Sequence, residues 1–455
     1  MAHDGPRQAI AIVLWYTMAD DWPSWHAIGK LSLSSYMMEM ENPKDDNGSK
    51  SPNMPNMIQD ITGAFGKYQL FLCLTIFISK IFIAFHQMAI IFLAPKVSYT
   101  CGLEKIEVCP CAEPNYDTSI FTRTIIMEWD LICDRKWLTS LTQALFQFVG
   151  GTMVIGFVIV MEFMGSQHRE LASALYQVPF NIGHMLLPTI AYFLRDYTEF
   201  QLAISAPAAI MLLYFVTVPE TPRWLIAVNR TDEAIKVLER VAKATLSSNQ
   251  LKKGSILDLF RTPNIRKNIL CMSFNWLACS YCFYGVSQFV GQLSGDVFSN
   301  VAASAGVTLL GTFSSIPLLK TIGRRTIVIV FNFIAAVCLF MLALVPAGLA
   351  SIVLACVGVV SSFIIFVVVY LYCSELFPTV VRNAAIGVSS MSARVGSMLA
   401  PFVIDLQGVA PWLPPLVFAI VPLIAGGITF LLPETKGCEL MTTIEEGENF
   451  GKKGK

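Results

Sequence analysis

Ten stretches of this chain are long and apolar enough to cross a bilayer as helices, and no other property of the sequence restricts its fold so strongly. A hydrocarbon core about 30 Å thick takes roughly 20 helical residues, and with water excluded every backbone amide has to find its partner inside the helix. The runs cover 68–93, 137–162, 171–194, 201–218, 269–290, 298–319, 326–346, 348–372, 384–406 and 413–432. Gly, Pro, Ser and Cys within them do not argue against helices in lipid. Hydrophobic residues make up 55% of the chain and charged ones 14%, with mean hydropathy +0.59, which excludes an ordinary soluble protein. An all-α integral membrane fold of about ten spans is therefore expected. Because 32 basic residues balance 32 acidic ones, no excess charge points to nucleic acid as a partner. The lipid bilayer is the partner that the runs require.

Orientation follows from where the basic residues fall. Ten of the 32 lie in 219–268, so this loop is expected in the cytoplasm. Counting spans outward from it puts Arg169, Arg324, Arg325, Arg382 and the last lysines on the same side, with both termini inside. The same count puts 94–136 outside, with Cys101, Cys109, Cys111 and Cys133. Four cysteines in an oxidising space are disulfide candidates, and three pairings are open to them. The other eight cysteines mostly fall in spans, where Cys acts as a small apolar residue. Residues 1–67 contain no run of membrane length. The segment 9–18 is too short and is followed by Asp20 and Asp21, and 40–62 has the composition of a disordered stretch.

The chain also repeats itself. Glu162 and Arg169 recur as Glu375 and Arg382, and Pro219-Glu220-Thr221 recurs as Pro433-Glu434-Thr435. Each motif stands at the inner end of an apolar run, which indicates two homologous halves side by side, the arrangement of many transporters. The expected parts are an N-terminal segment 1–67, a first bundle 68–218 with the outer loop 94–136, a linker 219–268, a second bundle of six spans 269–432, and an inner tail 433–455. The first bundle has four spans and lacks a counterpart of the Gly323-Arg324-Arg325 turn. Two spans are thus missing, with 137–162 running as one helix where three are expected.

Several motifs in this order carry a resemblance: Glu128-Trp129-Asp130-Leu131 with Cys133-Asp134, Glu162 to Arg169, Pro219-Glu220-Thr221-Pro222-Arg223-Trp224-Leu225, Gly323-Arg324-Arg325, and Ser374-Glu375-Leu376-Phe377-Pro378-Thr379 with Arg382. Over roughly 66–440 the chain resembles the organic cation, organic anion and carnitine transporter branch of the major facilitator superfamily. That resemblance implies a two-bundle helical carrier around a central cavity, and a plasma-membrane location. Gly-Arg-Arg and Pro-Glu-Thr also occur in sugar porters. The outer loop and Arg394 disfavour that alternative.

Arg394 is the leading candidate for contact with the transported solute. It lies twelve residues past Arg382 and so about 18 Å along the helix, near mid-membrane. A guanidinium there costs roughly 2.5–3.5 kcal/mol and should face a wet cavity or a buried acid, not lipid. By resemblance, its Met391-x-Ala393-Arg394-Val395-Gly396 setting is similar to that of anion and zwitterion carriers, which makes it an anchor for a substrate carboxylate. Tyr281, Tyr284 and Gln288, spaced i, i+3 and i+7, share a helix face suited to a flat organic ion, and Tyr370 is a further candidate. Lys80 and His86 sit within the first run, and His86 is a candidate for hydrogen bonding or proton coupling. Glu162, Arg169, Glu375, Arg382, Arg324, Arg325, Glu220 and Arg223 form an expected cytoplasmic gate of ion pairs.

The expected activity is secondary transport of small organic ions by alternating access, with an anion or carnitine-like zwitterion favoured over a cation. No phosphate-cradling glycine loop is present, so no nucleotide cofactor is expected. The five histidines His3, His26, His86, His168 and His184 form no acyltransferase or metal pattern, which argues against a membrane enzyme. A truncated relative that inserts but moves nothing is the remaining alternative.

Overall fold

The computed structural model describes residues 67–101, 105–106, 109–111, 113–148, 152–163, 169–213, 225, 230, 232–233, 257–293, 295–346, 348–438, 441 and 443–451. The expectations for 1–66, and for Glu220 and Arg223, fall outside these residues.

The apolar runs are helices. In the first half these are α1 (Lys67–Met88), α2 (Lys136–Phe148), α3 (Thr152–Phe163), α4 (Arg169–Leu175), α5 (Val178–Phe193) and α6 (Tyr197–Ala208). In the second they are α7 (Pro263–Gly291), α8 (Val297–Thr321), α9 (Arg324–Leu344), α10 (Leu349–Leu376), α11 (Thr379–Asp405) and α12 (Leu413–Thr429), followed by the short α13 (Ile444–Asn449). Leu70–Leu93 and α7 to α10 are each long and apolar enough to span a membrane alone. The chain is thus a multi-pass helical membrane protein.

Within the run 137–162 the described residues form α2 and α3. The amphipathic α2 packs chiefly on α11 of the second half, whereas α3 packs mainly on α1 and α4 of the first. The run 171–194 breaks at Tyr176 and Gln177, just before Pro179, whose ring clashes with a continuing helix and which has no N–H to donate. Lys80 of α1 fills the gap: its ammonium donates to the Tyr176 carbonyl at 2.8 Å and to Gln177 Oε1 at 2.8 Å, and lies 3.4 Å from the Tyr176 ring centroid. A cation at the end of a short helix meets carbonyls that no backbone amide serves.

Outside the bundle, β1 (Tyr99–Cys101), β2 (Lys105–Ile106) and β3 (Pro114–Tyr116) form a small antiparallel sheet in the order β2-β1-β3. Disulfides Cys101–Cys111 and Cys109–Cys133 close this loop. It docks on the α5–α6 turn through Arg123, which reaches Glu128 at 3.2 Å and Asp196 at 3.8 Å and lies over the Tyr197 ring. Glu128 of the outer motif therefore has a structural use.

The C-terminal tail folds back on the second half. Glu448 of α13 accepts from the amides of Asn264 and Ile265 at 2.8 and 3.2 Å, placing a carboxylate at the N-terminus of α7, while the Asn264 amide bonds the Phe450 carbonyl at 2.9 Å.

Candidate functional site

The middle of the molecule is filled by aromatic side chains from both halves. Trp276 of α7 lies 4.3 Å, ring to ring, from Tyr370 of α10, which in turn lies 4.6 Å from Phe157 of α3. Phe157 packs on Tyr176 at 5.4 Å, and Phe180 of α5 faces Phe283 of α7 at 6.2 Å. All six residues are essentially inaccessible.

Arg394 stands on α11 beside this cluster. Its guanidinium is within hydrogen-bonding and electrostatic reach of the Tyr284 hydroxyl, and its charge also acts on Tyr370. Such closeness depends on Gly396, where a Cβ would overlap the Leu277 carbonyl of α7. Tyr284 in turn donates to Gln87 Oε1 of α1, so a polar chain crosses from α11 through α7 to the first half. Tyr284, Tyr370 and Arg394 are brought together.

The expected face on α7 does not act as one surface. Tyr281 packs on Phe418 of α12, with ring centroids 4.9 Å apart. Gln288 lies a turn nearer the outside, in a narrow cleft with Ile91, Lys96, Gln143 and Gln292. Its amide is buried and meets no protein partner among the described residues. Spacing shows which residues share a helix face, but a helix packed on all sides by α8, α10, α11 and α12 divides one face among several neighbours. His86 is half-buried on α1. Gln87, Phe157 and Tyr176, which sequence reasoning missed, are ordinary residues on apolar runs and become central only through the crossing of the halves.

At the end of the bundle away from the disulfide-closed loop, Arg324 links the halves. It binds Glu375 through Nε and Nη2 at 3.0 and 3.1 Å and the Leu319 carbonyl at 3.1 Å, and its Nη2 also meets Glu170 of the first half. Thr435 supports Glu375 at 2.7 Å. Glu434 receives the amides of Arg324 and Arg325 at 2.7 and 3.1 Å, which caps α9. Arg325 turns to the Phe430 carbonyl at 2.7 Å. Glu375 is thus held by Arg324, where the repeat suggested Arg382. Arg382 is buried nearby and acts electrostatically on Cys373. The first-half member is Glu170; the side chains of Glu162 and Arg169 are not among those described.

The end that carries the disulfide-closed loop has a latch that sequence reasoning did not find. Asp405, the last residue of α11, accepts from Ser140 of α2 and lies 4.0 Å from the Lys136 ammonium. Among the described residues, both ends are therefore bridged between halves around a centre filled with aromatic side chains.

Comparison with known proteins fits this arrangement. A family model described as sugar (and other) transporter matches residues 146–446. Solute carrier family 22 member 1 of Oryctolagus cuniculus is 35% identical over 322 residues, covering 67% of this chain and 58% of that protein. Member 3 of the same family from Rattus norvegicus is 31% identical over 399 residues, 72% of each chain. The organic cation transporter protein of Drosophila melanogaster is 26% identical over 515 aligned positions, covering 86% of this chain and 94% of that one. That alignment is longer than the 455 residues of the chain, so the relative has residues where this chain has none. The chain spans just under three-fifths of the first of these relatives. A solved proton:xylose symporter of the major facilitator superfamily, bound to 6-bromo-6-deoxy-D-glucose, superposes with TM-score 0.54 at 16% identity, covering 87% of this chain and 86% of that one. This likeness shows the fold.

Proposed function

Because the chain belongs to the sugar (and other) transporter family of the major facilitator superfamily, and to its solute carrier family 22 branch, we propose that it moves small organic ions across the membrane by alternating access. Organic anions or zwitterions with a carboxylate are the favoured substrates. The observation that carries this preference is the type of the buried ionisable side chains: among the described residues Lys80, Arg324 and Arg382 are buried while no Asp or Glu is buried to the same degree, and Arg394 adds a fourth basic residue near mid-membrane. Aromatic faces would ordinarily suit an organic cation. Here Lys80 already covers Tyr176, and Arg394 already stands beside Tyr284 and Tyr370. A cationic solute entering this centre would meet like charge, whereas a carboxylate could pair with Arg394 in bidentate fashion while its apolar body replaces aromatic contacts.

In the cycle we propose, release of the Asp405 latch opens the outer side, pairing of the solute with Arg394 closes it, and separation of Arg324 from Glu170 opens the inner side. The family's setting is consistent with the plasma membrane and with inner termini. Purified chain in vesicles should take up a labelled aromatic carboxylate in preference to a quaternary ammonium compound, and Arg394→Gln should reduce carboxylate uptake at least tenfold. Preference for the cation, retained in Arg394→Gln, would reject the anion reading.

A second reading is a family member that inserts but carries nothing. It is favoured by the missing stretch and by α2 and α3, which together replace three expected helices. Uptake of no solute class by well-folded protein would favour it.

A further inference from the structure

Helices α5 and α8 meet along a line where the two halves touch. On the first-half side lie Ser173, Gln177, Asn181 and His184, spaced 4, 4 and 3 residues apart from α4 into α5. On the second-half side lie Ser304, Thr308, Thr312 and Ser315, with the same spacing. The second set occupies one face of α8 over about 16 Å, and the first runs from α4 across the turn into α5. All eight residues are fully buried.

A buried polar stripe normally pairs across the interface it occupies. This one scarcely does. A single described bond joins the stripes, from Asn181 Nδ2 to Thr312 Oγ1 at 2.7 Å. Thr308, Thr312 and Ser315 turn their hydroxyls back to carbonyls of their own helix. Among the described residues no protein group pairs with Ser173 Oγ, Gln177 Nε2, Asn181 Oδ1, either ring nitrogen of His184, or Ser304 Oγ. Apolar side chains of equal size would hold the halves together more firmly, because a buried polar atom without a protein partner weakens the state that buries it.

We propose that this seam is a parting line: atoms left unmatched while the halves touch gain water when they separate, so Ser173, Asn181, His184 and Ser304 shift the carrier toward opening. They are positioning residues, acting on the closed state and not on the solute. The proposal rests on the alternating-access reading above.

Ser173→Ala and Ser304→Ala remove an unmatched hydroxyl without leaving a large void. In the full chain in detergent or nanodiscs, each should raise the thermal midpoint, slow hydrogen exchange in 178–193 and 297–321 by about fivefold, and slow uptake by a similar factor. His184→Leu should act in the same direction. Thr312→Val should do the opposite to stability and exchange, since it strands the Asn181 amide. An ordinary packing role would make all four variants less stable. A lower midpoint for the two alanine variants, or unchanged exchange, would overturn the proposal. Slowed exchange in a chain whose wild type carries no solute would sustain the parting line and sink only the transport reading.

Discussion

Gly323 shows how a single missing side chain joins two sequence motifs. A Cβ there would overlap the Glu434 carboxylate, which serves the first two amides of α9. Gly323→Ala should push Glu434 off this end and destabilise the fold by about 1 kcal/mol, read as a lower thermal midpoint, with faster maleimide labelling of the inner Cys373 when other free cysteines are removed. Lys80 offers a sharper case. Replacing it by Met keeps the bulk but strands the Tyr176 carbonyl and Gln177 Oε1, at roughly 1–3 kcal/mol for each acceptor, so the midpoint should fall markedly. A midpoint equal to wild type would show that the helix break satisfies itself. At this scale the sequence was readable in depth but not in direction. Counting from Arg382 put Arg394 near mid-membrane, yet nothing local to Tyr281 says that its ring turns to Phe418 while Tyr284 turns to Gln87. Arg169 drew attention by its repeat, although its neighbour Glu170 meets Arg324.

Whole helices were more legible than their breaks. The six helices of the second half, and α1, follow from hydropathy because burying about 20 consecutive apolar residues outweighs local preference. That α2 packs on α11 while α3 packs on α1 and α4 escaped notice, because a window average of hydropathy cannot register packing partners. The tail was expected to lie inside, but its Glu448 contact was not, since a carboxylate in an acidic stretch carries no sign of the helix start it will serve. Glu448→Ala should cost about 1 kcal/mol and expose the first turn of α7 to faster hydrogen exchange, with little change elsewhere. In the outer loop, Cys109→Ala with Cys133→Ala opens a closure of 24 residues. Loss of about 3 kcal/mol is expected for this element, seen as protease cleavage of the loop at temperatures where the helices persist. Resistance equal to the parent would mean that the Arg123 contacts suffice.

For the molecule as a whole, transport by alternating access requires that the two latches are never open together. Paired cysteines at Ser140 and Asp405 should therefore cross-link under mild oxidation, stop uptake, and release it on reduction; uptake that persists in the oxidised form would show that the outer latch need not open. Two-fold architecture was visible in the repeated motifs, and Arg324 and Glu375 were expected in a gate, but Glu170 and the Ser140–Asp405 contact were not, because no repeat relates them to their partners. The α2–α3 pair leads to one more consequence. Its outer member leans on α11 while its inner member belongs with α1 and α4, so one short stretch of chain crosses the boundary between halves. A rocking carrier is usually drawn as two rigid blocks divided where the sequence divides. In this chain α2, though part of the first half in sequence, rests on the second, so the α2–α11 contact is the one that such a division has to part.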